Sequence, residues 1–210
     1  MTTGPIAIVV GTRPEIIKMA PVVRACAERG APFLLLHTGQ HYSFEMDGVF
    51  FRELELPAPH HNLEVGSGSQ AYQIGAIVSG LEPILARERP QVLLVEGDTN
   101  SVLAAGLAAH KLGIRVGHVE AGLRSYDRGM PEEINRILTD HLSDHLFAPT
   151  ARARGILLGE GVAADRIHVT GNTVVDEVLR QRERARVPGL LERFAVEAGG
   201  YALATVHRAE

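Results

Sequence analysis

Val95-Glu96-Gly97-Asp98-Thr99-Asn100-Ser101 and its echo, Val116-Gly117-His118-Val119-Glu120-Ala121-Gly122-Leu123-Arg124, decide how this chain folds. Each opens as a short apolar strand, breaks at or near a glycine, and delivers an acidic residue where the strand ends. In an open parallel sheet, ligands bind just outside the carboxyl ends of the strands. Two neighbouring strands that place Asp98 and Glu120 on that rim therefore predict a polar cleft with at least two carboxylates.

Outward from these strands, apolar runs alternate with helical patterns. Ile6–Val10 is a β-branched run suited to a strand buried on both faces. After Gly11, Thr12 reads as a helix cap, Pro14 lies in the first turn, and Glu15 completes a capping box. That helix runs toward Gly30 with a kink expected at Pro21. Phe33–Leu36 is the second strand, followed by the loop Thr38-Gly39-Gln40-His41-Tyr42. Helices are expected over Phe44–Leu54 and from Gln70 to about Arg87, with Pro57–Ser69 as loop between them. Gln91–Val95 and Ile114–Val119 are strands flanking an alanine-rich helix, Ser101–Leu112, which Gly113 ends. Pro131 opens a helix reaching about His145. Leu146–Ala148, Ile167–Val169 and Tyr201–Val206 read as further strands, with helices near Ala151–Leu158 and Val174–Arg186. The alternation argues for right-handed βαβ units and a parallel sheet, a Rossmann-like α/β fold.

Composition narrows the function. The chain has 210 residues, 45% hydrophobic and 22% charged, an ordinary globular balance. A net charge of −4 and no basic tract argue against nucleic acid as a partner. No apolar run approaches the ~20 residues that cross a bilayer, and the amino terminus lacks a secretion signal. The single cysteine, Cys26, fits a reducing, cytoplasmic setting. About 170 residues make one α/β domain, giving residues 1–170 as the first domain and 171–210 as the start of an incomplete second.

The candidate residues divide by chemistry. The first helix start, with Arg13 and Lys18 nearby, suits a phosphate or diphosphate, or is a well-capped surface helix. It matches neither a Walker A loop nor a G-x-G-x-x-G fingerprint. Asp98 is a cleft carboxylate or the N-cap of the helix that follows. Glu120 has no helix start to cap, and His118 reads as an ordinary core histidine. Glu132 and Arg136, four apart, share a helix face. On a helical wheel Ile134, Ile137, Leu138 and Leu142 gather on one side, with Glu132, Arg136, Thr139 and Asp140 on the other. A solvated polar face with an ion pair accounts for that pattern, and Glu133 is the weaker catalytic candidate. His41 and His207 are loop-placed and could touch a ligand. His60-His61 lacks metal-ligand spacing.

Taken in order, several strings are more specific than any one alone. They are Gly11-Thr12-Arg13-Pro14-Glu15-Ile16-Ile17-Lys18, Thr38-Gly39-Gln40-His41, Gly97-Asp98-Thr99 and His118-Val119-Glu120-Ala121-Gly122-Leu123-Arg124. Pro131-Glu132-Glu133-Ile134-Asn135-Arg136, Thr170-Gly171-Asn172-Thr173 and Thr205-Val206-His207-Arg208 complete the set. The chain resembles the non-hydrolysing UDP-N-acetylglucosamine 2-epimerase family along its whole length. The resemblance implies the N-terminal half of a GT-B-type architecture, in which two Rossmann-like domains face each other across a cleft. It implies interconversion of UDP-GlcNAc and UDP-ManNAc by elimination and re-addition of UDP, serving cell-surface polysaccharide synthesis, with no cofactor and no metal. Asp98, Glu120 and Glu132 match the family's catalytic carboxylates, and His207 joins them. Arg13, Lys18, Gln40, His41 and Arg136 match substrate-binding positions. Some members are activated by UDP-GlcNAc through the Gln-His loop, but the continuation Tyr42-Ser43-Phe44-Glu45-Met46-Asp47 differs from theirs. A cytoplasmic homodimer with a UDP-sugar substrate, and neither nucleic acid nor membrane, is the implied setting. The rivals are an epimerase of a 2,3-diacetamido-uronate, a GT-B glycosyltransferase, and a non-catalytic single-domain fragment.

Overall fold

A computed structural model describes residues 4–40, 44–185, 187 and 189–204. In chain order the elements are β1 (Ile6–Val10), α1 (Arg13–Glu28), β2 (Phe33–His37), α2 (Phe44–Glu53), β3 (His61–Asn62), α3 (Gln70–Glu88), β4 (Val92–Glu96) and α4 (Asn100–Lys111). There follow β5 (Arg115–Val119), α5 (Pro131–Leu142), β6 (His145–Ala148), α6 (Ala151–Gly159), a 3-10 turn (Ala164–Arg166), β7 (Ile167–Val169), α7 (Thr173–Arg184) and α8 (Leu190–Arg193). The chain divides into a unit Met1–Glu177, which carries the whole sheet, and a small unit Val178–Glu210.

All seven strands pair in parallel in the order β3-β2-β1-β4-β5-β6-β7. Successive side chains of a strand point to opposite faces, and β1 shows what that does here. Ala7 and Val9 join Leu93, Val95 and Val116 in a core closed by Ile77, Leu81 and Leu85 of α3 and the alanines of α4. Ile8 and Val10 join Leu35 in a second core closed by Ile16, Met19, Ala20 and Val23 of α1 and by Phe51. A strand covered on both faces must be apolar at every position, which is why Ile6–Val10 lacks polar alternation. The small residues of α4 let neighbours come close. A Cβ on Gly106 would lie 2.9 Å from Leu142 Cδ1 of α5.

Four expectations need correction. The helix from Pro131 stops at Leu142, not near His145, because Ser143 is already extended (φ −83°, ψ 142°) and His145 opens β6. The loop expected over Pro57–Ser69 contains β3, a two-residue edge strand too short for any periodicity and defined only by pairing with β2. The strand expected over Tyr201–Val206 is absent at residues 201–204, and Thr205 and Val206 lie outside the described residues.

The fourth is the polarity of α5. Thr139 and Asp140 are fully buried, Glu133 and Asn135 nearly so, while Leu138 is 48% exposed. The wheel sorts residues by hydropathy alone. Here the buried polar groups each find a partner inside, which removes the usual penalty for burying them.

Candidate active site at the carboxyl ends of the strands

The chain leaves β1 toward β2 on one side and β4 toward β5 on the other. Such a reversal opens a crevice above the two strand ends, where open α/β sheets take ligands. Helices α1 and α4 both begin there, capped by Thr12 and Thr99, and the Thr99 side chain accepts from the Val102 N–H. Asp98 is therefore not the helix cap; Thr99 is, and the carboxylate is left for other work. A cavity of about 260 Å³ opens between these helix starts and α5, with Gln40, Asp98, Asn100, Glu132 and Asn135 among its walls. Gly11 closes the end of β1 where a Cβ would overlap Ser101 Oγ and Thr38 Oγ1, so only glycine fits.

Glu15 ties the two helix starts together. Its carboxyl accepts from the N–H groups of Gly11 and Thr12 and from the Thr99 hydroxyl. The two N–H groups just ahead of α1, which the sequence offers to an anion, are thus already engaged by the chain's own carboxyl. Burial pushes Glu15 up to about 7, against the pull of those hydrogen bonds. The capping-box half of this role is legible locally. The reach across to Thr99 has no sequence signal.

The acidic strand ends each have a cation. Asp98 pairs with the Arg136 guanidinium, which also reaches Glu133 at 3.1 Å. The ion pair expected between Glu132 and Arg136 is replaced by these two, because the helix turns Arg136 toward the end of β4. Glu133 in turn accepts from the N–H groups of Ser125 and Tyr126, both at 2.9 Å, and so fixes the loop leading into α5. Burial works against its charge, but these donors and Arg136 hold its carboxyl below the usual range.

Glu120 follows β5 with its backbone in the left-handed region (φ 67°), a conformation that costs a non-glycine residue of order 1 kcal/mol and persists only where surroundings fix it. Its carboxylate meets Lys18 Nζ at 2.8 Å and the Asn172 amide at 2.9 Å. Lys18 also lies 2.9 Å from Glu96, so one ammonium stands between two carboxyls. Burial pushes Glu96 up to about 8, with the Glu120 charge adding to it and Lys18 opposing. Burial also disfavours the Lys18 ammonium, but Glu96 and Glu120 outweigh this and raise it. The ends of β4 and β5 are joined directly, the Gly97 N–H donating to the Val119 carbonyl at 3.2 Å.

The structure thus brings Asp98, Glu132, Gln40 and Arg136 to one part of the rim and Glu120 with Lys18 to another. Arg13 is exposed at the start of α1, beside a separate depression of about 390 Å³ lined by Pro14, Ile17 and Phe50. His41 and His207 lie outside the described residues. Gln40 is buried, its amide oxygen accepting from the Ser101 hydroxyl at 2.7 Å.

Sequence reasoning passed over Glu96, Asn172, the reach of Glu15 to Thr99 and a strip of amides. In that strip Gln73 donates to the carbonyls of Gln40 (3.2 Å) and Gly66 (3.0 Å) and accepts from Asn100 (2.9 Å). Asn135 donates to Asn100 (3.2 Å) and to the Asp98 carbonyl (3.0 Å). For Glu96 a signal existed, an acid ending an otherwise unbroken apolar strand. For the amides there was none.

Among the described residues, no cluster of His, Cys, Asp and Glu could hold a metal ion, and no helix is long and apolar enough to cross a membrane. The sequence is 50% identical over 208 residues to a UDP-N-acetylglucosamine 2-epimerase of Methanococcus maripaludis, covering 98% of this chain and 56% of that protein. It is 41% identical over 209 residues to the UDP-2,3-diacetamido-2,3-dideoxy-D-glucuronate 2-epimerase of Pseudomonas aeruginosa, covering 98% of this chain and 58% of that one. Its fold is similar to the crystal structure of Methanocaldococcus jannaschii UDP-GlcNAc 2-epimerase in complex with UDP-GlcNAc and UDP, with a TM-score of 0.86 and 50% identity, over 90% of this chain and 52% of that chain. The chain spans just over half the length of these relatives. A model of the UDP-N-acetylglucosamine 2-epimerase family matches residues 24–210, and the chain belongs to that family.

Proposed function

We propose that this chain carries the proton-handling side of a UDP-N-acetylglucosamine 2-epimerase, interconverting UDP-GlcNAc and UDP-ManNAc. The observation that supports it most is the pairing of two acidic strand ends with separate cations, Asp98 with Arg136 and Glu120 with Lys18, on neighbouring strands. In the elimination, a carboxylate takes the proton from C2, the C1–O bond breaks, and UDP leaves with its electron pair to give a 2-acetamidoglucal. In the return, a carboxylic acid delivers a proton to the opposite face of C2 and UDP re-adds at C1. One base and one acid are needed at the same pH, and carboxyls whose surroundings differ can supply both. Asp98, Glu120 and Glu132 fill these roles.

Departure of a diphosphate needs positive charge at the leaving oxygen. Arg13, Lys18 and Arg136 supply it, with Gln40 placing the sugar; His41 is assigned to substrate and His207 to the catalytic group from the motif match alone. Because Lys18 and Arg136 are held by carboxylates, an arriving diphosphate competes for them and frees the carboxylates it displaces. No cofactor enters this scheme. Homodimerisation in the cytoplasm belongs to the same reading, and light scattering on the purified chain checks the dimer.

Incubation with UDP-GlcNAc in D2O tests the reaction. Deuterium appearing at C2 supports it. A parallel incubation with UDP-2,3-diacetamido-2,3-dideoxy-glucuronate addresses the second reading, favoured by the 41% identical relative. Running both with the chain alone and with a form extended to the relatives' length separates a wrong substrate from an insufficient chain. No exchange from either sugar with the extended form refutes the proposal.

A further inference from the structure

His118 lies beneath both acidic strand ends and is fully buried. Its two ring nitrogens each face an oxygen. Nδ1 is 2.7 Å from Asp140 Oδ1 and Nε2 is 2.7 Å from the carbonyl oxygen of Gly97. The carbonyl has no hydrogen to give. Asp140 is met at its other oxygen by the Arg124 guanidinium at 2.7 Å and by the Gly122 N–H at 3.2 Å, the partners of a carboxylate, so it too accepts. A neutral imidazole carries one N–H and would turn a lone pair toward the other oxygen at hydrogen-bond distance; only the imidazolium donates from both nitrogens.

The neighbouring charges agree with that assignment. Asp140 is shared with Arg124, 2.7 Å away, whose side chain is 1% exposed and which also pairs with Glu160. Glu160 is partly exposed and approached by His141 at 3.7 Å. Two cations, His118 and Arg124, thus interleave with two carboxylates, Asp140 and Glu160. The Asp140 carboxylate, 2.7 Å from Nδ1, offsets the charge on a buried imidazolium that desolvation would otherwise disfavour.

Both ends of the network grip backbone that matters for chemistry. Gly97 has φ +85° and immediately precedes Asp98. Asp140 Oδ2 accepts from the Gly122 N–H at 3.2 Å, closing the turn that follows Glu120. We propose that His118 is a doubly protonated positioning residue that holds the Asp98 and Glu120 turns in their working geometry, acting through the Gly97 carbonyl on one side and Asp140 on the other. This rests on the reading that those two carboxylates act on substrate. His118 touches no substrate itself. Its role is to keep two left-handed turns, one on a non-glycine residue, from relaxing.

The test is nuclear magnetic resonance on the 210-residue chain with 15N-labelled histidine and 13C-labelled carboxyls. Both His118 ring nitrogens should carry hydrogens, and those hydrogens should exchange slowly with solvent. Asp140→Asn keeps the shape and removes the charge; it should convert His118 to a ring with one N–H and shift the Asp98 and Glu120 carboxyl signals. His118→Gln should shift the same two signals and leave exposed Asp165 unmoved. A single ring N–H in the unaltered chain overturns the proposal, and this measurement stands even if His118→Gln fails to fold. Unmoved Asp98 and Glu120 signals in folded Asp140→Asn also overturn it, reducing His118 to a core contact. No turnover enters the readout, so a failed D2O exchange and a failed His118 assignment are separate results.

Discussion

Raising the pH from about 5 to about 8 should weaken the fold, because Glu15 and Glu96 keep protons in the native state that the unfolded chain has released. Both are nearly fully buried, and burial lifts them from 4.5 to about 7 and about 8. A carboxyl with a raised native value binds more protons folded than unfolded. Its stabilisation is complete below 4.5 and is lost as the pH climbs to the native value. Each proton retained gives a slope of about 1.4 kcal/mol per pH unit. Taken singly, the shifts correspond to roughly 3 kcal/mol for Glu15 and roughly 5 kcal/mol for Glu96. The two repel one another when ionised, so they do not simply add. Asp140 and Glu133, held low, behave oppositely: their stabilisation is present above the ordinary carboxyl range and is lost only in stronger acid. Neither therefore adds to the slope expected from Glu15 and Glu96 between about pH 5 and about 8. Urea unfolding followed by circular dichroism at fixed ionic strength, at intervals across this window, measures the slope. Glu96→Gln should flatten it by about one proton's worth, and Glu15→Gln likewise over the lower part. Stability that is flat or rising across the window, or a Glu96→Gln slope equal to that of the unaltered chain, would refute the reasoning.

In the deuterium-exchange assay, with the form extended to the relatives' length, Asp98→Asn, Glu120→Gln and Glu132→Gln should each slow C2 exchange by about 10²–10⁴-fold with melting temperature little changed; full exchange in any of them removes that residue from the mechanism. Gly11→Ala should cost roughly 1–3 kcal/mol through overlap with Ser101 and Thr38, read as a fall in the urea midpoint at constant slope. On α5, Leu138→Gln should cost under about 0.5 kcal/mol, whereas Thr139→Leu, which overpacks a closed site, should cost roughly 1–3 kcal/mol. Thermal denaturation of the pair gives the ranking, and the reverse order would restore the simple amphipathic picture.

What could be read in advance followed the reach of the forces. The parallel sheet was legible because strands covered on both faces must be apolar throughout, as Ile6–Val10 is. Helix starts were legible because caps act within three residues, as at Thr12, whose N–H donates to Glu15. The two-residue strand His61–Asn62 was not, since what makes it a strand is its ladder with β2. The same limit governs the site. Asp98 and Glu120 stand out because strand ends mark the rim, but their partners Arg136 and Lys18 come from helices far along the chain. The wheel misjudged α5 because Asp140 is buried for the sake of His118, Arg124 and Gly122, none of which is on that helix. Hydropathy describes a residue against water; it is silent about a companion waiting inside.

The strip of amides from Gln73 to Asn135 gives the floor of the crevice a direction. An amide side chain presents oxygen on one side and hydrogens on the other, and exchanging the two reverses its sense. At one end, the Gln73 NH2 is pinned by two main-chain carbonyls, those of Gln40 and Gly66, which only accept. At the other, the Asn135 NH2 is pinned by the carbonyl of Asp98. Asn100, between them, must then offer hydrogens to Gln73 and oxygen to Asn135. The row is a line of dipoles without net charge, oriented from both ends by backbone that cannot flip. It can therefore stiffen the approach to Asp98 without adding a charge that would repel or trap an anionic guest.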